Sequence, residues 1–276
     1  MIKIFLTVRN RLSITTKCIE AIKRHTTTPY QIYVYNNQTN YLIEEHFKYF
    51  GKLYARGIIT QVTFNTDEST FNAFSKATAC NMFGLQHEQD PQKDNYEFLL
   101  MLDNDIILTP KWNEYISKGW KYIKNKKLNY IKIVGQLPGG IKNRTETHNI
   151  SPNFIGRVGT LGGSGLWSVR PNFFTDVGLL NLNQLIGLNK KHDQLYWQLL
   201  QKSAGNKPYI MGLNKKIGIH CGRMSGSVCN ALTRETDKKK ALDRIKFTNS
   251  DKRLNQMKFE EFFENISENR SLISDW

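Results

Sequence analysis

The sequence contains few of the residues that build disulfide or metal frameworks. Only four cysteines occur in 276 residues, and no two of them form a Cys-x-x-Cys pair. This pattern argues against a cysteine-based zinc module and against a disulfide-rich secreted fold. We therefore expect reduced, mostly buried thiols at Cys18, Cys80, Cys221 and Cys229.

Long apolar runs are also missing. No segment approaches the roughly 20 apolar residues that a membrane-spanning helix needs, and no repeat or low-complexity tract occurs. The N-terminal residues MIKIFLTV lead directly into a predicted strand without the cleavage-site pattern of a secretory signal. We expect no transmembrane segment and a cytoplasmic location, in a bacterium or a phage-infected host cell. The oligomeric state stays open.

Acidic residues are scarce relative to basic ones. The chain has 24 Asp and Glu against 39 Lys and Arg, which gives a formal net charge of +15. Such an excess favours anionic partners such as nucleic acid, an acidic polymer or an anionic membrane. A lysine-rich and asparagine-rich composition inherited from an AT-rich genome explains it equally well. The lysines cluster in residues 118–132, 190–191, 202–216 and 233–253.

The first hundred residues alternate between strand and helix patterns. Predicted strands cover residues 2–8, 30–35 and 57–64 and are separated by amphipathic helices. This order predicts βαβ units and a mostly parallel sheet flanked by helices.

The central feature is an apolar run at residues 98–102 that leads into Asp103 and Asp105 and is followed by a second apolar run. A short apolar run bounded by turn signals is typical of a strand buried on both faces. Two carboxylates where such a strand ends can share a divalent cation with phosphate oxygens. A polar turn without a ligand is the alternative interpretation.

Three later features bear on function. Clustered glycines within residues 157–170 precede an apolar strand and indicate backbone that approaches a ligand closely. A helix is predicted over 191–204 with Asp193 in its first turn, and a strand over 209–219 ends before His220.

The C-terminal segment from residue 231 is strongly charged. Phe259, Phe262, Phe263 and Ile266 recur at helical spacing, which predicts an amphipathic helix. It either packs on the main domain or forms an appendage that binds a partner, and core packing is favoured.

Five segments in this order resemble the GT-A nucleotide-sugar glycosyltransferases, most closely the inverting family-2 type, over about residues 1–225. They are IFLTVRNRLSIT, VYNNQT, LLMLDNDIILTPKW, GTLGGSGLWSVRPNFFTDVGLLN and HDQLYWQLLQKSAG. The resemblance implies a Rossmann-like GT-A domain at 1–230, with a nucleotide-sugar-binding half at 1–110 and an acceptor half at 111–230. Residues 231–276 would form a charged helical appendage.

The resemblance also implies a donor site for a nucleotide-diphosphate sugar, with a UDP-sugar favoured. The residues that it assigns to the donor are Thr7, Val8, Arg11, Asn36, Asn37, Asp103, Gly162, Gly163 and Ser164. The sequence departs from the family pattern at three positions. Thr7 stands in place of a proline, Arg9 stands in place of an aromatic residue, and His192 stands in place of a glutamate. Asn36 and Asn37 stand where carboxylates are usual, which puts the donor preference in doubt.

The implied chemistry needs a Mn²⁺ or Mg²⁺ ion and one general base. The metal would be bound by Asp103, Asp105 and His220, with Asp105 as the direct ligand and Asp103 nearer the ribose or a bound water. A structural role for His220 is the alternative. Asp193 would accept the proton of the acceptor hydroxyl, unless it only complements the helix dipole.

Two other classes compete with this interpretation. A non-catalytic nucleic-acid-binding protein explains the charge but not the ordered motifs. A nucleotidyltransferase usually needs a glycine-rich phosphate loop, and residues 7–12 contain no glycine.

Among acceptors we favour DNA that carries hydroxymethylated bases, bound through a basic surface. A surface polysaccharide or a protein is the alternative. Residues expected near that acceptor are Lys190, Lys191, Lys215, Lys216 and Arg223, with Trp167 or Trp197 available for stacking.

Overall fold

The computed structural model describes residues 1–8, 12–37, 43–65, 75–134, 146–159, 165–179, 209–221 and 257–268. The described helices are α1 (Leu12–His25), α2 (Ile43–Ala55), α3 (Ser75–Glu88), α4 (Trp112–Asn125), α5 (Phe173–Val177) and α6 (Phe259–Glu268). The first six strands are β1 (Ile2–Val8), β2 (Tyr30–Asn37), β3 (Gln61–Asn65), β4 (Phe98–Asp103), β5 (Ile106–Leu108) and β6 (Tyr130–Val134). The later strands are β7 (Glu146–Ser151), β8 (Phe154–Gly159), β9 (Leu166–Val169), β10 (Tyr209–Leu213) and β11 (Gly218–His220).

The main sheet has the strand order β3-β2-β1-β4-β9-β6-β10-β8-β7, and β5 pairs with β11 in a separate two-stranded sheet. Within the main sheet β9 runs antiparallel to both β4 and β6, and β8 runs antiparallel to β10 and β7. The other strands of this sheet point in one direction. The prediction of an α/β fold with a mostly parallel sheet is therefore confirmed.

Helices cover both faces of the sheet, which explains why β4 is apolar without a break from Phe98 to Leu102. Alternate residues of β4 divide between two cores: Phe98, Leu100 and Leu102 belong to one, and Leu99 and Met101 to the other. The first core is completed by α1, α2, α4 and α6, and the second by α3 and α5.

The start of β3 differs from the prediction. The predicted strand at 57–64 begins only at Gln61. Gly57 has a φ of +65°, and its amide nitrogen donates to the carbonyl oxygen of Tyr54 at 2.9 Å, as in a helix C-terminal cap. The amide nitrogen of Ile58 donates to Leu53 at 2.9 Å, so Gly57 and Ile58 cap the end of α2 and are not part of the strand.

Helix α6 packs on α1 and into the first core. Phe259, Phe262 and Ile266 are buried there, and Glu260 pairs with Arg24 of α1. The predicted core packing of these aromatic residues is confirmed, while a domain boundary near residue 230 stays a prediction. None of the described helices has the length and apolar character needed to span a bilayer.

Candidate active site

The order of the strands reverses at β1, and several predicted donor residues lie at the carboxyl end of this strand. The chain moves outward from β1 through β2 to β3 and then returns to β4 on the other side of β1. Such a reversal of strand order marks the place where open α/β sheets bind ligands. Thr7 lies opposite Asp103 of β4, and Val8 lies opposite Asn36 of β2. Four residues predicted to bind the donor therefore lie together at this edge.

The two aspartates belong to a tight turn, residues 103–105, which we call the DND turn. The amide nitrogen of Asp103 donates to the carbonyl oxygen of Gly165 at 2.8 Å, and that of Asn104 donates to Thr7 at 3.0 Å. The carbonyl oxygen of Asp105 accepts from the amide nitrogen of Cys221 at 2.8 Å. The backbone of the turn is thus fixed to three different segments of the chain.

The pairing of β5 with β11 brings His220 to the DND turn. Ile106 lies opposite His220 in this antiparallel pair. As a result, the Nε2 atom of His220 lies 3.3 Å from the Oδ2 atom of Asp105. Both side chains keep some contact with solvent, with exposed fractions of 19% and 12%. An imidazole and a carboxylate therefore meet at the DND turn and remain accessible to solvent.

Gly165 lets the segment before β9 approach the first aspartate. A Cβ atom at this position would lie 2.7 Å from the Cδ1 atom of Ile106 and 3.3 Å from the Oδ2 atom of Asp103. Because the first distance is shorter than real Cβ contacts, a larger residue would force Ile106 or the segment to move. The Asp103 carboxylate is therefore flanked on this side by the backbone of residue 165 and by no side chain from that position.

A buried thiol lies behind the carboxylates. Burial raises the pKa of Cys18 well above its usual value, and the negative charges of Asp105 and Asp103 act in the same direction. Cys18 and the neighbouring Cys221 are both buried, and neither forms a disulfide. Cys18 therefore remains protonated and serves as a packing group, as expected for a reduced, buried thiol.

The donor atoms at the DND turn suit a hard divalent cation. Carboxylate oxygen and imidazole nitrogen are acceptable ligands for Mn²⁺, and Mg²⁺ in nucleotide sites uses one or two carboxylates together with phosphate oxygens. Within the described ranges there is no group of three or more His, Cys, Asp or Glu residues arranged to hold a metal. A cation bound by Asp105 and His220 would therefore take further ligands from a diphosphate and from water.

Several predicted residues lie outside the described ranges. They are Arg11, Gly162, Gly163, Ser164, Asp193, Lys190, Lys191, Trp197 and Arg223, together with the side chain of Asn37. Lys215 and Lys216 precede β11, at the opposite end of that strand from His220. Trp167 is 3% exposed in the core beneath the Lys132 ammonium, which favours the core interpretation over stacking on a ligand.

The sequence analysis did not identify a polar contact between the DND turn and α1. The Nδ2 atom of Asn104 donates to the Oγ1 atom of Thr15 in α1 at 2.8 Å, and both side chains are buried. The available signal was the position of Thr15 between Ile14 and Cys18, two apolar residues of the same helix. A buried threonine next to such residues needs a hydrogen-bond partner.

Comparisons with known proteins gave structural likenesses only. No family model matches the chain, and no curated protein matches it. S. aureus TarS 1-349 has a TM-score of 0.49 and 15% identity, and the alignment covers 95% of this chain and 76% of that one. Its complex with UDP-GlcNAc has a TM-score of 0.45 and 14% identity, over 95% and 77% of the two chains. The glycosyltransferase GlyE of Streptococcus pneumoniae TIGR4 has a TM-score of 0.42 and 11% identity, over 78% and 46%. At these identities and TM-scores the likenesses leave activity and substrate open.

Proposed function

We propose that this chain is a metal-dependent inverting glycosyltransferase that moves a sugar from a nucleotide-diphosphate sugar, a UDP-hexose above all, to an acceptor hydroxyl. The observation that carries the proposal is the meeting of Asp103, Asp105 and His220 at the carboxyl end of β4, beside the switch point of the sheet. The sequence resemblance names the same residues, and the pairing of β5 with β11 places the histidine beside the second aspartate.

Each described residue has a defined task in this proposal. Asp105 and His220 would hold Mn²⁺ or Mg²⁺, which when bound stabilises negative charge on the departing diphosphate. Asp103, at the end of β4 and opposite Thr7, would position the ribose or a bound water. Asn36, opposite Val8, would offer hydrogen bonds to the donor in place of the usual carboxylate.

The proton of the acceptor hydroxyl needs a base on the face of the sugar opposite the diphosphate, because inversion requires attack from that side. The sequence resemblance supplies Asp193 for this role. Backbone N–H groups of Gly162, Gly163 and Ser164 would bind donor or acceptor oxygens, next to the Gly165 carbonyl that fixes Asp103.

For the acceptor we propose DNA that carries hydroxymethylated bases. The net charge of +15 supports a polyanion. Among the described residues the exposed surface of α4 and the turn after it contributes to this charge, through Lys118, Lys121, Lys124, Lys126 and Lys127. A surface polysaccharide or a protein is the alternative acceptor within the same enzyme class.

The test is a donor-hydrolysis and transfer screen with Mn²⁺ against UDP-, GDP- and TDP-sugars, with and without hydroxymethylated DNA. The proposal requires hydrolysis or transfer from at least one nucleotide sugar. A chain that binds duplex DNA but consumes none of these donors would instead be a non-catalytic nucleic-acid-binding protein.

A further inference from the structure

The middle residue of the DND turn differs from its two neighbours in its surroundings. The residue Asn104 is 3% exposed. Its amide nitrogen donates to the carbonyl oxygen of Thr7 in β1, and its side chain donates to Thr15 in α1. Asn104 thus connects the turn to a strand and to a helix at once.

The turn needs such an anchor because two carboxylates that share a cation repel each other when the cation is absent. The backbone bonds of Asp103 and Asp105 lead to Gly165 and Cys221, which belong to different segments. A contact at the intervening residue restrains the part of the backbone that carries both carboxylates. The side-chain bond of Asn104 is buried, where a hydrogen bond is well protected from water.

We propose that Asn104 and Thr15 form a positioning pair that sets the orientation of Asp103 and Asp105 toward a divalent cation. This inference rests on the metal-dependent function proposed above. In this arrangement Thr15 acts on the carboxylates through the Asn104 amide and the backbone of the turn. Side chains that orient metal ligands in this way typically change metal affinity by about 10- to 100-fold when they are removed.

The structure offers a matched control elsewhere in the chain. The Nδ2 atom of Asn113 in α4 donates to the Oγ1 atoms of Thr28 at 2.9 Å and of Thr27 at 3.0 Å. The bond between Asn113 and Thr28 has the same chemistry as the bond between Asn104 and Thr15. It joins α4 to the segment before β2, away from the DND turn.

The experiment compares Thr15→Val, Thr15→Ser and Thr28→Val with the unmodified chain. Binding of Mn²⁺ alone is measured by the EPR signal of the free ion, so that no nucleotide is needed. We expect Thr15→Val to weaken Mn²⁺ binding by about tenfold, and Thr15→Ser, which keeps the hydroxyl, to restore it to within about twofold. Thr28→Val should bind Mn²⁺ as the unmodified chain does.

An Asn104→Ala variant and the double variant complete a cycle. If the two residues act as a pair, the double variant should bind Mn²⁺ no more weakly than either single variant. The cycle also keeps the test valid if Thr15→Val folds poorly, because Asn104→Ala must then show the loss by itself.

Three results would overturn the inference: unchanged Mn²⁺ affinity in Thr15→Val, a loss in Thr15→Ser as large as in Thr15→Val, or additive losses in the double variant. If the unmodified chain binds Mn²⁺ but transfers no sugar, the proposed enzyme activity is refuted. The EPR data on the variants then decide by themselves whether the positioning pair exists. A chain that binds no Mn²⁺ would overturn both.

Discussion

The Nε2 atom of His220 lies 3.3 Å from the Oδ2 atom of Asp105, although the two residues are far apart in sequence. The contact exists because β11 returns along β5 in antiparallel register and places His220 opposite Ile106. An imidazole and a carboxylate at this distance either form a hydrogen bond or share a cation. The choice between these two states determines whether the chain needs a metal.

The first prediction concerns this choice. EDTA should abolish hydrolysis of the nucleotide sugar, and Mn²⁺ should restore it. Asp105→Asn keeps the size of the side chain but removes its charge, so we expect an activity loss of about 10²-fold or more, the order seen when one electrostatic group of an active site is removed. Asp176→Asn, at an exposed position in α5, is the control and should stay fully active. Undiminished hydrolysis in EDTA would show that no metal is required.

The second prediction concerns the base. Asp193→Asn retains the shape of the side chain but cannot accept a proton, and loss of a general base typically costs about 10²- to 10⁴-fold in rate. Transfer should fall by this order, while binding of the nucleotide sugar, measured by calorimetry, should stay nearly the same. If Asp193→Asn transfers sugar at the normal rate, Asp193 is not the base, and its role is to complement the dipole of the predicted helix.

The position of the aspartates could be predicted because it depends on local pattern. An apolar run that ends in two carboxylates marks the end of a buried strand, and β4 ends at Asp103. The contact with His220 depends on pairing between distant strands, which no periodicity in the sequence encodes. It was available only through the family resemblance.

The role of Asn104 and Thr15 was not predictable for a related reason. Helical spacing indicates which residues of α1 are buried, but the partner of Thr15 depends on how α1 packs against β5 and the DND turn. The antiparallel course of β9 between β4 and β6 was also missed. The alternation that predicts parallel strands covers the first hundred residues, and β9 lies beyond it.

The third prediction concerns acid stability. His46 in α2 is 0% exposed, and within the described part of the chain neither of its ring nitrogens has a hydrogen-bond partner. Burial lowers the pKa of His46 to about 4 from its ordinary value of 6.5. Below pH 6.5 the unfolded chain therefore takes up a proton that the folded chain does not. The free energy of unfolding should fall by about 3 kcal/mol between pH 6.5 and pH 4 from this residue alone.

A His46→Phe variant should lose this part of the pH dependence, measured by urea unfolding at several pH values. Phe50 contacts the His46 ring, so Phe50→Leu is a control that disturbs the same packing without removing the titrating group. This control should be less stable at every pH, and its free energy of unfolding should change with pH as steeply as that of the unmodified chain. The same slope in His46→Phe would show that other groups cause the acid sensitivity.

The last prediction concerns the acceptor. Duplex DNA releases condensed counterions when lysines neutralise its phosphates, so binding through a basic surface must weaken steeply as salt rises. If hydroxymethylated DNA is the acceptor, duplex affinity should fall by about 10³-fold or more from 50 mM to 200 mM salt, provided that at least six phosphates are contacted. Reversing the charge of Lys190 and Lys191 should weaken transfer to DNA and leave donor hydrolysis unchanged.

The lysines of α4 allow the DNA surface to be mapped. Lys118→Glu with Lys121→Glu changes two exposed residues of one helix. If this helix contacts DNA, the double variant should reduce the slope of log affinity against log salt by about two, since each lost phosphate contact lowers it by about 0.9. An unchanged slope would place the contact elsewhere. If the chain binds no duplex at low salt and transfers sugar only to a neutral saccharide, its positive charge is a property of composition, and the acceptor is a glycan.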